Sequence, residues 1–187
     1  YSDNDGTLFG RLNYGDVLSL PQGLGCCDFH KPSQNLVNAF KTNAQGLPMF
    51  DTYNDADLDY KQLNNYKVDP RLYHTVAMPG LPWKYEEDKI YQESWVRSPG
   101  TYGYYASLKE NVPVGCGCTV NIDPFYGNSK NRIIIRYSDV LLMKAEAMNQ
   151  IGLQTSNETA QNYYKTAINA MNQVRMARNA VETSDYK

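Results

Sequence analysis

The apolar positions of this chain keep no sustained period until about residue 131, and then keep a strong one. From Val140 to Met148 seven of nine residues are apolar, with only Lys144 and Glu146 breaking the run. So dense a run predicts a helix that neighbours cover on more than one side. Arg132 to Tyr137, carrying Ile133, Ile134 and Ile135, reads as a short extended entry. Ser138 is suited to cap the helix and Gly152 to stop it after Ile151. A second helix is expected from the capping box Thr155-Ser156-Asn157-Glu158 to about Arg178. In it Ala160, Tyr164, Ala167, Met171 and Val174 recur at helical spacing, a stripe that should pack against the first helix. The short link between the two implies an antiparallel hairpin, the unit of helical-repeat scaffolds.

Residues 1–130 read differently, because they hold all 9 Pro and 12 of the 13 Gly. Regular structure should be sparse there. One exception is Ser33 to Phe40, where Ser33 can cap a two-turn helix with Leu36, Val37 and Phe40 on one face. Turns are expected at Asp5-Gly6, Pro79-Gly80, Pro99-Gly100 and Tyr126-Gly127-Asn128. The fold class expected is mainly α, with a loop-rich segment, 1–130, packed on the hairpin of 131–187. An irregular stretch of that length argues for packing against something beyond the chain. We therefore expect one incomplete domain of a larger, matured or trimmed protein, unable to fold alone.

Charge narrows the function classes. With 18 Lys+Arg against 20 Asp+Glu, the net charge is -2, which leaves no field to favour nucleic acid or anionic lipid. The chain has no apolar run near the length of a membrane span, and Tyr1 to Gly10 lacks the pattern of a signal peptide. Aromatic usage is skewed towards 16 Tyr and 2 Trp against 5 Phe, side chains that join an apolar face to a polar tip and suit binding surfaces.

Several groupings of reactive residues carry a structural reading. Asp55, Asp57 and Asp59 begin like a calcium loop, but Tyr60 and Tyr66 stand where such a loop needs Gly and Glu, which leaves a solvated acidic loop. Cys26-Cys27 and Cys116-x-Cys118 fit no zinc-finger spacing, so no metal is assigned. A disulfide between the two pairs would close a loop of ~90 residues and contribute about 4 kcal/mol; free buried thiols are the alternative. His30 and His74 lack a Ser or acid partner motif. Asp139 follows Arg136 by three residues and precedes Glu146 by two turns, so pairing or capping is expected rather than a glycosidase acid pair. The chain implies no cofactor and no catalytic residue.

Ile135 to Asn149, IRYSDVLLMKAEAMN, is very similar to the "IRYADVLLMYAEALNE" signature of SusD/RagB proteins. Ala167 to Arg178 resembles the "A…LNxVRxRA" helix of that family. Pro32 to Phe40 resembles its "PTxELVDAF" segment, and Asp69-Pro70-Arg71-Leu72 its "DPRL" element, ahead of a Gly80 to Trp83 region. Four matches in order cover about residues 30 to 178. The resemblance implies a helical-repeat, TPR-like fold and a non-catalytic subunit for nutrient uptake. It also implies a lipid anchor at the outer-membrane surface of Bacteroidetes and a partner, the SusC-like TonB-dependent transporter, on which the subunit sits as a lid. The family's lipobox cysteine, N-terminal repeats and C-terminal tail do not occur in this chain.

Within that reading Trp83, Tyr85, Tyr91 and Trp95, followed by Tyr102, Tyr104 and Tyr105, form the expected ligand site. Aromatic faces stack on the C–H faces of sugar rings. A packed cluster or a contact to the barrel is the competing account of the same rings. Oligosaccharide capture leads, with RagB-like peptide binding and a helical-repeat interaction scaffold as alternatives.

Overall fold

A computed structural model of the protein describes residues 18–109, 111–116, 119–122, 125–128, 133–156 and 158–184. Its two long helices are α3 (Tyr137–Leu153) and α4 (Glu158–Met176). Ahead of them, among the described residues, come two short ones, α1 (Gln34–Asn38) and α2 (Pro99–Tyr102). Six short strands pair antiparallel in three ribbons: β1 (Val76–Ala77) with β4 (Ala106–Ser107), β2 (Pro82–Trp83) with β3 (Glu86–Ile90), and β5 (Thr119–Ile122) with β6 (Phe125–Asn128). Short 3₁₀ segments at Gln22–Leu24, Tyr60–Asn65, Pro70–His74, Glu93–Trp95 and Val114–Cys116 fill much of the remainder, the second of them kinked at Gln62. The mainly helical class expected from the sequence is what the structure shows, with the regularity concentrated in the hairpin.

Local chemistry explains most of the short elements. Ser33 Oγ accepts the Leu36 N–H at 3.1 Å and starts α1, as expected. Val37 of α1 is fully buried and Phe40 packs beside it, whereas Leu36 is exposed, because the helix is too short to turn a third apolar position inward. Pro79-Gly80 forms a turn with Gly80 at φ 91°, a value that favours glycine. Pro99-Gly100 instead begins α2, and Tyr126 to Asn128 belong to β6 rather than to a turn. Asp5-Gly6 lies outside the described residues.

Two apolar clusters flank the β1–β4 ribbon. Val76 joins Val37, Leu58, Leu72, Met78 and Tyr105; its neighbour Ala77 joins Trp83, Tyr91, Val96, Ala106 and Leu108. Successive strand residues point to opposite faces, so two strand residues suffice to divide the loop-rich segment into two cores.

The hairpin packs through small side chains. Ala145 of α3 and Ala167 and Ala170 of α4 are buried at the crossing, with Met148 and Met171 at its edge. The expected stripe on α4 is therefore found, with Ala160 buried as well. Other details of α3 differ from expectation. It starts one residue before Ser138: Asp139 accepts the Arg136 N–H at 3.0 Å and is gripped by the Arg136 guanidinium at 2.9 Å, so one carboxylate holds both the backbone and the side chain of the residue that opens the helix. Gly152 does not stop the helix, which runs on to Leu153. Glycine stands there because a Cβ would come 2.6 Å from Tyr164 Cε1.

That contact sets a test. Gly152→Ala should lower stability by about 1 to 2 kcal/mol in thermal unfolding, the clash outweighing the better helix propensity of alanine. With Tyr164→Ala in place the same change should become neutral or stabilising; a loss unaffected by Tyr164 would mean that backbone conformation, not packing, requires the glycine.

Only one side of α3 is covered among the described residues. Leu141 and Ala145 are buried, while Val140, Leu142, Met143 and Ile151 are exposed. Of the cover expected on more than one side, the described residues supply one side. Glu146 is exposed as well, so of the two signature carboxylates only Asp139 takes the architectural role.

Polar residues on α4, missed by a reading that followed apolar period alone, hold the segment that follows it. Asn172 donates to Thr183 O at 2.9 Å and accepts its N–H at 2.8 Å, a two-way clamp. Arg175 Nε donates to Val181 O, and Val181 closes on Gly46 of the loop-rich segment. Arg175 also meets Asp69 at 3.8 Å, which itself forms two bonds to the Arg71 guanidinium at 2.9 and 2.6 Å.

The cysteines are not joined as expected. Cys26 is bonded to Cys27 and Cys116 is also in a disulfide, whereas Cys118 lies outside the described residues. A bond between adjacent residues closes almost no loop, so the entropic gain of a ~90-residue crosslink does not apply. Non-reducing peptide mapping should return Cys26 and Cys27 joined within one peptide. A crosslink from either to Cys116 would contradict the structure.

Candidate functional site

The β2–β3 ribbon turns through two residues, Lys84 at φ 48° and Tyr85 at φ 71°. Positive φ at both central positions is the pattern of a type I′ turn, which usually employs Asn and Gly. A side chain with a Cβ held there costs roughly 1 to 2 kcal/mol. The turn thereby lifts Tyr85 to the tip of the ribbon, 66% exposed, with its ring tilted over His74 at 5.5 Å and its hydroxyl 3.0 Å from His74 Nδ1. Burial, together with the charges of Arg178 and Lys109, makes His74 less basic than an ordinary histidine. His74 is therefore a neutral partner for the Tyr85 hydroxyl at neutral pH.

The other expected site residues separate by depth. Trp83 and Tyr91 have no exposed surface and lie 5.8 Å apart in the second core, where Trp83 Nε1 donates to Val112 O at 3.3 Å. Burial and the nearby Asp28 push the Tyr91 phenol far above its usual range. Trp95 stands edge-on to Tyr91 at 5.8 Å, half-buried against Gly23. Tyr105 belongs to the first core and donates to Leu58 O at 3.1 Å. Tyr104 is half-buried, and Tyr102 is 59% exposed. The structure thus joins Trp83, Tyr91 and Trp95 into an inner stack and leaves Tyr85 and Tyr102 exposed and Tyr104 half-buried.

Tyr104 also belongs to a group that sequence reasoning missed. Its ring lies 5.6 Å from that of Tyr60, and the Lys61 ammonium stands 5.5 and 5.9 Å from the two ring centres. Tyr60 Oη donates to Glu93 Oε1 at 2.8 Å, and Lys61 Nζ pairs with the same oxygen at 3.1 Å. Burial and the Glu93 carboxylate push the Tyr60 phenol up to about 12, so it stays a proton donor. Tyr60 and Glu93 border a surface groove of about 720 Å³ that also carries Gln62, Asn64 and Gln92. Amide and carboxylate groups beside fixed rings can bind hydroxyl-rich ligands. No local signal links Tyr60 to Glu93, because 33 residues separate them in the chain.

The acidic loop is used structurally. Asp57 accepts from Asn38 Nδ2 at 2.9 Å, and Asp59 from the Lys61 N–H at 2.9 Å. Among the described residues no group of three or more His, Cys, Asp or Glu side chains is arranged to hold a metal ion.

Comparison with known proteins agrees with this architecture. The model of the SusD family matches residues 2–187. The chain belongs to the SusD family. It is 38% identical over 157 residues to "SusD-like protein P38" of Formosa agariphila, a match that covers 81% of this chain and 28% of that protein. The chain thus spans well under two thirds of the curated relative that it matches. Members of the SusD family are binding proteins, not enzymes. The stretches that resemble the SusD signature prove structural: Arg136 and Asp139 cap α3, Leu141 and Ala145 pack it, and Asp69 and Arg71 of the DPRL element join the loop-rich segment to α4.

Proposed function

We propose that this protein is a surface binding subunit that captures oligosaccharides and delivers them to a SusC-like TonB-dependent transporter in the outer membrane. A lipid anchor belonging to the larger protein would hold it there; among the described residues no helix is long and apolar enough to cross a membrane. We further propose that residues 1–130 and 131–187 are two parts of one SusD-like domain, the first bearing the ligand face and the second supporting it. The observation that carries the reading is Tyr85: an aromatic ring held at φ 71° and left 66% exposed, beside a polar, ring-lined surface. Backbone strain kept at an exposed ring marks a position where presentation outweighs stability. Of the seven aromatic residues expected at the site, Tyr85, Tyr102 and Tyr104 supply the open faces, and Trp83, Tyr91, Trp95 and Tyr105 build the base beneath them.

Tyr85→Gly separates the two roles. Removing the side chain relieves the positive-φ penalty, so the melting temperature should hold or rise. A lost stacking face of about 1 kcal/mol should weaken glycan affinity roughly five-fold. Calorimetry of the full-length protein against neutral and charged oligosaccharides and a peptide panel is the measurement. Binding of peptides alone would favour a RagB-like role, and unchanged glycan affinity would move the site away from Tyr85.

A further inference from the structure

A cavity of about 760 Å³ lies between the Pro70–His74 turn, the start of α3 and the end of α4. That volume is within the range of small-molecule sites, about 300 to 1,000 Å³. Five cationic side chains line it, Lys41, Arg71, Lys109, Arg136 and Arg178, together with the Asp69 carboxylate and the ring of His74. Lys41 is buried and donates to Ala56 O. Arg71 is matched by Asp69, and Arg136 by Asp139. Lys109 and Arg178 form no ion pair with the described residues; an Arg178 Nη1 bond to Ala177 O at 2.7 Å supplies no countercharge. Partial desolvation, followed by the charges of Arg136, Arg178 and Arg71, holds the Lys109 ammonium below its usual basicity. The first turn of α3 enters the same wall through Tyr137 and Ser138, adding the positive end of a helix dipole. Leu141, Leu142 and Val174 form apolar wall beside these charges, while Lys109 and Arg178 are themselves exposed.

His74, which lines the cavity, holds the Tyr85 hydroxyl at 3.0 Å and so links the cavity wall to the exposed ring. The geometry points to an anion subsite centred on Lys109 and Arg178, which takes a carboxylate or sulfate group of a charged oligosaccharide whose neighbouring sugar stacks on Tyr85. This inference rests on the glycan-capture reading and narrows it to acidic glycans. Each oxyanion would meet two cations otherwise left to repel one another, which is the arrangement that favours charge-assisted hydrogen bonds.

Calorimetry of the full-length protein tests it with tetragalacturonate, a sulfated galactan tetrasaccharide and neutral cellotetraose. At low salt at least one charged probe should bind about tenfold or more tightly than cellotetraose, an advantage that shrinks as salt approaches about 0.5 M. The two charged arms distinguish carboxylate from sulfate. The Lys109→Gln, Arg178→Gln double variant should lose that advantage, keep the neutral affinity and melt no lower than the parent. Equal binding of charged and neutral probes overturns the subsite while leaving glycan capture standing. A clear drop in the melting temperature of the variant, with charge preference intact, would mean that the cations serve the fold and would overturn it too. Tighter binding of tetraglutamate than of either charged glycan would overturn the glycan assignment, and binding of no oligosaccharide at all would defeat the capture reading itself.

Discussion

Asp69→Ala is expected to destabilise the protein by about 3 to 5 kcal/mol, because it removes the single carboxylate shared by Arg71 and the buried Arg175. Asp69 and Arg175 are each only 5% exposed, so water cannot replace the lost partner. Burial acts to raise the Asp69 carboxyl, but hydrogen bonds from Arg71 and the charges of Arg71 and Arg175 outweigh it and hold the group below the usual carboxylate range. The sign of the pH dependence follows. A depressed value in the folded state gives stability that is fully present above the unfolded-chain value, about 3.9, and is lost as pH falls through the folded value. Urea unfolding across the acid range should show that loss in the parent and a flatter profile in Asp69→Asn. A change below about 1 kcal/mol for Asp69→Ala at neutral pH would show that the loop-rich segment docks on α4 by other means.

Trp83→Ala should cost about 3 to 5 kcal/mol of stability, the toll of emptying a fully buried site. Read from sequence as an exposed stacking ring, Trp83 would have affected affinity with little change in stability. The structure reverses that order, since the ring packs on Tyr91 and its N–H reaches Val112 O. Tyr102→Ala is the control: at an exposed position it should stay within about 0.5 kcal/mol of the parent in thermal unfolding. If Trp83→Ala melts like the parent, the inner stack is not a core. A glycan affinity lost in Tyr102→Ala or Tyr85→Gly at unchanged stability would locate the ligand on the outer rings.

The hairpin was legible because helices are written locally. The alanine stripe of α4 and the dense apolar run of α3 carry their period in consecutive residues, and the Ser33 cap needs only the Leu36 N–H three positions on. The family resemblance was legible for the same reason, since its signature is one uninterrupted helix with its cap. Helix ends were less so. Ser138 has the chemistry of a cap, yet the helix opens at Arg136, whose N–H and guanidinium both bond the Asp139 carboxylate one turn on.

Sequence by itself determined the class of fold, the antiparallel pairing of α3 with α4 and a surplus of Tyr and Trp suited to binding. It could not say which rings face solvent, because seven aromatic residues between 83 and 105 share a composition and no period. Tertiary packing decided that by drawing Trp83, Tyr91 and Tyr105 into two cores on either side of a two-residue ribbon and lifting Tyr85 on a strained turn. It likewise placed Glu93 against Tyr60, and set Lys109 and Arg178 around one cavity from separate elements. Such contacts join residues tens of positions apart, where burial and charge act through space and leave no local pattern in the chain.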